Sequence, residues 1–359
     1  MQYKGIVTER EVQIVMVEMM NAVGYTEHLP ISEENSLFDF KTIKPIPKGR
    51  DLLVKIEAVA VNPVDISTRK NKKEKLDKNH PKILGWDALG EVVGCGDEVR
   101  LFEKGERVFY AGAIDRPGSN ADYQLVDERL VALAPKKLTQ QQSVAMPLTS
   151  LTAWEALFEK LQISRTKRIE NAKKTILIIN GAGGVGSIAT QLAAWAGLKV
   201  IATASREESI RWTLAHGAVD TINHRIDMPT QLKEKGIDGV DYILQLSDID
   251  GHWAEMAKMI KPNGRIASIT GNQEPLDLGL LKPKSVNFSW EWMYTKSFYQ
   301  LPEMISQHEI LEKISTMLND GVIKSTVTEV LHTVNAETLR KAHEMIETNH
   351  TIGKIVICN

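Results

Sequence analysis

Three glycines set the first chemical expectation. Gly181, Gly183 and Gly186 stand in G-x-G-x-x-G spacing, with Gly184 and Val185 filling the turn. An unbroken run of β-formers over 175–179 leads into them, and residues 187–196 read as a helix. Strand, glycine turn and helix start together form the dinucleotide-binding fingerprint. One glycine permits the tight turn, one lets backbone approach a pyrophosphate, and one lets helix and strand pack closely. The free N–H groups of the helix start then face the anion.

The tip of the next strand selects the nucleotide. A site for the unphosphorylated form places Asp or Glu about twenty residues past the glycines, on the ribose 2′-OH. Here that strand ends Thr203-Ala204-Ser205-Arg206, with a hydroxyl and a guanidinium and no acid. Arginine holds a phosphate through paired N–H bonds, and serine adds another donor. The expectation is NADPH. The competing reading makes Ser205 a helix cap and Arg206 a solvated first-turn residue, and the two are compatible. His224 and Lys199 are further candidates near the adenosine end. Tyr110, at a strand end, can supply a proton or stack on a ring, although an aromatic there is more often core.

The elements that must position these groups fall into two kinds. Residues 21–25, 52–61, 84–94, 107–111 and 123–126 read as strands, with Lys55 and Glu57 alternating against Val54 and Ile56. Asn62-Pro63 stops the second of them, and Asp65, Ser67 and Arg69 fall on a short helix. After a helical stretch over 149–160, strands (199–203, 219–223, 240–245, 265–269) alternate with helices (207–216, 228–235, 252–260). That alternation predicts an α/β fold with a doubly wound parallel sheet, its ligand at the carboxyl ends of the strands. Thr270-Gly271-Asn272, after the fifth strand, is expected to border the nicotinamide. Two further helices, 304–319 and 336–348, precede a last strand at 354–357.

A chain of 359 residues carrying 43% hydrophobic and 25% charged side chains predicts two globular domains. Its formal net charge of -2, without a long basic block, argues against nucleic acid as the main partner. No run is long and apolar enough to cross a bilayer, and the N-terminus lacks the pattern of a signal peptide. Two cysteines, Cys95 and Cys358, exclude a disulfide framework and fit a reducing cytoplasm. Residues 11–19 read as a stray strand or a disordered lead.

Four stretches carry a family resemblance: Val61-Asn62-Pro63-Val64-Asp65, Gly85-Trp86-Asp87-Ala88-Leu89-Gly90, the run Pro147-Leu148-Thr149-Ser150-Leu151-Thr152-Ala153-Trp154, and the glycine loop. From about Met20 onward the chain resembles the medium-chain dehydrogenases/reductases. Within them it is similar to the quinone oxidoreductase (zeta-crystallin-like) branch, and there to zinc-type alcohol dehydrogenase-like proteins that lack the zinc ligands. The resemblance implies a GroES-like, mostly β catalytic domain built from 20–148 and 300–359. It implies a Rossmann NADP(H)-binding domain over 149–299, and leaves 1–19 as a lead. It also implies that Asn62 and Asp65 line the junction of nicotinamide and substrate, and that Thr152 touches the nicotinamide ribose or phosphate. Asn62 then donates to a substrate carbonyl or merely caps the turn before Pro63, while Asp65 orients Arg69 or the ribose. Ser67 stands where the family often has a tyrosine, so the proton source stays open.

Zinc members of the superfamily use a Cys, a His-Glu pair and a further ligand at the active site, with a four-Cys structural lobe besides. This chain has Val61-Asn62 and Trp86-Asp87 at those places. Zinc needs about four N, S or O ligands, so no zinc is expected. Without a Lewis acid, conjugated carbonyls and quinones are better hydride acceptors than simple ketones, because hydrogen bonds alone can carry the charge that develops on oxygen. The aromatic group Trp290, Trp292, Met293 and Tyr294 beside a late strand, 285–289, walls the substrate cleft or forms a dimer surface between cofactor domains; the resemblance favours a homodimer. The expectation is a cytoplasmic, metal-independent, NADPH-dependent reductase of quinones or α,β-unsaturated carbonyls. Its rivals are a zinc-dependent alcohol dehydrogenase and a non-catalytic NADPH-binding structural or sensor protein.

Overall fold

The computed structural model describes residues 18–359. The expected lead over 1–19 lies outside the described residues except at its end, where Met19 opens the first strand. The chain begins with β1 (Met19–Tyr25), β2 (Phe38–Ile43) and β3 (Asp51–Val61), then α1 (Pro63–Arg69). It continues through β4 (Lys82–Ile83), β5 (Asp87–Cys95), β6 (Arg107–Tyr110), β7 (Tyr123–Asp127) and β8 (Val131–Leu133). β1 sits between β2 and β4 in a small sheet. The others form most of a larger, mainly antiparallel sheet in which β3 pairs with both β5 and β7.

Helices α2 (Gln140–Val144) and α3 (Pro147–Trp154), the latter prolonged by a π-helical turn over Glu155–Lys160, and α4 (Arg168–Asn171) lead to the second sheet. There β9 (Thr175–Ile179), α5 (Gly184–Trp195), β10 (Lys199–Thr203), α6 (Glu207–Ala215), β11 (Asp220–Ile222), α7 (Met228–Glu234), β12 (Val240–Gln245), α8 (Ile249–Met259), β13 (Ile260–Ser268) and β14 (Asn287–Trp290) follow. Their order is β11-β10-β9-β12-β13-β14, and every pair is parallel. This is the doubly wound sheet, with its crossover reversal between β9 and β12, where such sheets hold ligands. β9 reads as a continuous apolar run because both its faces are covered. Ile176 and Ile178 join the core shared with the β-rich half, while Leu177 and Ile179 pack into the core under α7 and α8.

The last elements are α9 (Thr295–Phe298), α10 (Ser306–Asn319), β15 (Val327–His332), α11 (Ala336–Glu347) and β16 (Lys354–Cys358). β16 inserts between β15 and β3, in the β-rich sheet. Among the described residues, no helix is long and apolar enough to cross a membrane.

Three local expectations need correction. Ser205 does not cap α6: the helix starts after Arg206, whose N–H donates to the Ser209 hydroxyl at 3.1 Å. A serine in the first turn captures the cap position from inside the helix. α8 starts at Ile249, three residues before the expected His252, because the Asp248 carboxylate accepts from Gly251 N–H at 3.0 Å. The strand expected at 84–94 begins only at Asp87. Gly85, with φ +109, turns the chain there, and the backbone of 84–85 bonds instead to 119–120.

Candidate active site

Asp87, the first residue of β5, is the hub. It is fully buried. One carboxylate oxygen accepts from the Lys354 ammonium at 2.9 Å and from the Asn62 side-chain amide at 2.9 Å. The other accepts from the Leu148 N–H, in the first turn of α3, at 2.8 Å. A carboxylate at a helix start is favoured by the free N–H groups there. Lys354, 3% exposed, also donates to the Val61 carbonyl at 3.1 Å and to the Asn62 side-chain oxygen. A buried ion pair needs this saturation, since each charge left water at a cost of several kcal/mol, roughly. β5, β16, α3 and the β3–α1 junction thus meet on one carboxylate.

Asn62 is the N-cap residue of α1 by position, yet its side chain makes no cap bond. Its amide N–H groups reach Asp87 and, at 3.3 Å, the Ala60 carbonyl. Asp65 does the local work instead, its carboxylate accepting the Asn62 backbone N–H at 2.8 Å. That is the N3 half of a capping box. Burial pushes the Asp65 carboxyl up to about 7, with the Asp87 charge adding to the rise and the Asn62 bond and Lys354 opposing it. Asp65 does not hold Arg69. The Arg69 guanidinium turns the other way, to Glu347 and to the Leu29 carbonyl at 2.6 Å.

The glycine loop adjoins this cluster. A Cβ at Gly184 would sit 3.1 Å from the Lys354 Cδ and 3.2 Å from Thr149, and one at Gly186 would collide with the Asn180 carbonyl oxygen. Gly353 N–H donates to the Ala182 carbonyl at 2.9 Å, so the start of β16 lies directly on the loop. Gly181 N–H binds the Thr203 carbonyl at 3.1 Å, which ties the loop to β10. Asn180 N–H donates to the Thr203 hydroxyl at 2.8 Å, and that hydroxyl lies 3.1 Å from His224 Nδ1. Burial, then His252 and Arg225, lowers the His224 pKa. Ser205 and Arg206 are half-buried at the β10 tip, and the Arg206 guanidinium donates to the His350 carbonyl at 2.6 Å. Val185 lies in the first turn of α5. Thr270 and Gly271 follow β13, with Thr270 N–H on the Ser268 hydroxyl at 3.3 Å.

Two expected hydroxyls are engaged elsewhere. Thr152 donates to the Leu148 carbonyl at 2.9 Å, back along its own helix. Tyr110 donates to Gln124 at 2.9 Å from within the core, and burial raises its pKa. The group sequence reasoning missed is Lys354. A lone lysine opening a strand carries no motif; only the tertiary contact with Asp87 marks it.

Beside β14, Trp290 and Trp292 stay 43% and 42% exposed, while Met293 and Tyr294 are buried. Between the tryptophans, burial and then Glu155 push the Glu291 carboxyl up to about 9. Lys296 neutralises Glu155 at 3.0 Å and Glu159 at 2.8 Å rather than Glu291.

Comparison with known proteins places this architecture. A zinc-binding dehydrogenase family model matches residues 184–307, and an alcohol dehydrogenase GroES-like domain model matches 48–136. A zinc-type alcohol dehydrogenase-like protein of Staphylococcus epidermidis is 42% identical over 338 residues, covering 94% of this chain and 99% of that protein. The chain belongs to the medium-chain dehydrogenases/reductases. This medium-chain dehydrogenase/reductase is an oxidoreductase. It is also 32% identical over 327 residues to a chloroplastic NADPH-dependent alkenal/one oxidoreductase of Arabidopsis thaliana, covering 88% of this chain and 74% of that protein. Among solved structures, a Rhizobium etli protein provisionally described as a zinc-dependent alcohol dehydrogenase superposes with a TM-score of 0.90 at 39% identity. It covers 96% of this chain and 99% of that one.

The zinc in those family names does not fit the donors present in this medium-chain dehydrogenase/reductase. Where the resemblance puts metal ligands, the chain has one carboxylate and one amide, both bonded to an ammonium. A protonated amine has no lone pair to give. Among the described residues, no three His, Cys, Asp or Glu side chains converge as a metal site requires. A dinucleotide does fit. Its pyrophosphate would meet the start of α5, a helix of 12 residues whose first-turn N–H groups have no carbonyl partner within the helix.

Proposed function

We propose that this protein is an NADPH-dependent, metal-independent reductase of α,β-unsaturated carbonyls or quinones, working as a homodimer in the cytoplasm. The observation that carries the reading is the Asn62–Asp87–Lys354 cluster. A fixed internal ion pair stands where a zinc dehydrogenase of this family needs open metal ligands. The hydride acceptor must then be one whose developing negative charge hydrogen bonds alone can hold, and conjugated acceptors meet that condition. The similarity to an alkenal/one oxidoreductase supports the same class.

When bound, the dinucleotide supplies hydride from its nicotinamide. The backbone N–H groups of Gly184, Val185 and Gly186 would receive its pyrophosphate at the start of α5, just past Gly183, whose N–H is taken by the Asn180 carbonyl at 3.3 Å. Ser205 and Arg206 would receive the 2′-phosphate, with Arg206 exchanging the His350 carbonyl for a charged acceptor. His224 would line the adenosine end, while Thr152, Thr270 and Gly271 would border the nicotinamide. Asn62 and Asp65 shape the junction with substrate, and Asp87 and Lys354 hold Asn62 in place. On reduction of an enone, hydride adds at the β-carbon. The C=C pair shifts to give an enolate with its charge on oxygen, and the α-carbon takes a proton from water. Tyr110, its hydroxyl committed to Gln124, packs in the core instead of reaching the reacting atoms.

β14 ends the parallel sheet, its outer edge unpaired among the described residues, and Trp290 and Trp292 stand exposed beside it. An open edge with apolar side chains suits pairing with a second copy. Steady-state oxidation of NADPH and NADH against a panel of enones, quinones and simple ketones tests the reading. Turnover of conjugated acceptors with NADPH, undiminished by chelator, is expected. Stoichiometric zinc with alcohol oxidation would replace the reading with the zinc enzyme.

A further inference from the structure

Among the side chains assigned to the substrate end of the site, Asn62, Lys354, Thr152 and Tyr110 all have their donors engaged within the protein. Both Asn62 amide bonds are made, Lys354 donates three times, Thr152 turns back on its helix, and Tyr110 is held by Gln124. Yet an enolate oxygen needs a donor aimed at it.

Tyr294 has one to give. It is 2% exposed, and its hydroxyl has no hydrogen-bond partner among the described residues. Its ring meets Trp86, the neighbour of Asp87, edge-on with centroids 6.2 Å apart. On another side Trp292 touches it edge-on at 5.7 Å, so the phenol lies one side chain beneath the surface. Its backbone is pinned, the carbonyl accepting from Phe298 N–H at 2.8 Å and from the Ser297 hydroxyl at 3.1 Å. Burial raises its ionisation well above the usual phenol range, and the next contributions come from Asp65 and Asp87, which puts the phenol in the field of the cluster. Leaving a buried hydroxyl unpaired is costly. Phenylalanine would fill the same space without that cost, so the hydroxyl needs a reason.

We propose that Tyr294 is a further catalytic residue, its O–H donating a hydrogen bond to the substrate carbonyl oxygen as charge builds there. The assignment rests on the reductase reading above. Tyr294 keeps its proton throughout, since burial beside two carboxylates disfavours the phenolate; the proton that completes the product comes from water to the α-carbon.

Tyr294→Phe tests this with three readouts. Enone kcat is expected to fall about 10²-fold, the usual effect of removing one oxyanion donor, with KM and NADPH affinity by fluorescence titration nearly unchanged. The melting temperature should hold or rise, because an unpaired polar group is gone. 4-Nitrophenolate, an oxyanion mimic titrated without nucleotide, should bind about tenfold more weakly, the value of one hydrogen bond to a charged group. Unchanged kcat and phenolate affinity would overturn the assignment while leaving the reductase reading intact. A variant that fails to fold would overturn it too, since the hydroxyl would then be holding structure. A wild-type protein that reduces no acceptor would bring down the reductase reading, and the donor role with it.

Discussion

Lys354 and Asp87 form a buried ion pair at 2.9 Å across 267 residues of sequence, joining β16 to β5 beside the glycine loop. Removing one partner leaves the other charged in a dry interior, which typically costs about 3–5 kcal/mol. Lys354→Met is therefore expected to lower the melting temperature sharply. The double variant Lys354→Met/Asp87→Asn should recover much of that loss, because no lone charge remains. Thermal unfolding of the four proteins forms the cycle that checks it.

Arg206 offers a test of nucleotide choice. Arg206→Ala should weaken NADPH binding by about 10- to 100-fold, the range for hydrogen bonds to a charged group, and leave NADH binding nearly unchanged. Parallel fluorescence titrations decide it; equal losses for both nucleotides would show that Arg206 does not read the 2′-phosphate.

Gly184 constrains both the loop and the lysine. Gly184→Val should abolish nucleotide binding, since its Cβ would meet Lys354 and Thr149 at 3.1 and 3.2 Å and its branches would press further into both. Calorimetric titration should detect no uptake while circular dichroism stays near that of the wild type.

Much of this was legible in the chain. The parallel sheet announced itself through alternation, and 199–203 and 240–245 match β10 and β12 residue for residue. The glycine loop was readable because backbone geometry demands glycine there. The Asp87 cluster was not readable as a unit, because its members come from positions 62, 87, 148 and 354 and only tertiary packing joins them. β2 was missed even though Phe38, Phe40 and Thr42 alternate with Asp39 and Lys41 as the residues of a half-buried strand do. Nor did spacing reveal that Asn62 would leave its cap position to Asp65, since both residues are ordinary for a helix start.

Acidity should mark the buried carboxyls. Asp65 is raised from 3.8 to about 7 and Glu291 from 4.5 to about 9. Each binds its proton more tightly folded than unfolded. Its contribution is complete below the unfolded value and is lost as pH rises through the folded one. Melting temperature in the wild type should accordingly decline from about pH 4 to pH 9 on account of these groups. Asp65→Asn should flatten the part up to about 7, and Glu291→Gln the part up to about 9. Melts across that range would expose a slope that neither variant alters.

The open edge of β14 carries the assembly prediction. Trp290→Asp should shift a dimer to monomer in light scattering at micromolar protein, with the melting temperature of the isolated subunit little changed. A mass that stays at two chains would place the contact elsewhere.

The position of Lys354 also bears on how the molecule is made. Its three partners, Val61, Asn62 and Asp87, leave the ribosome long before it does. During synthesis Asp87 has to wait without its counter-charge, and β15 has no place on the β-rich sheet until β16 threads between it and β3. Assembly of the Asp87 cluster thus waits for β16. A chain that has emerged only as far as α11 would carry the doubly wound sheet whole while Asp87 still lacked Lys354.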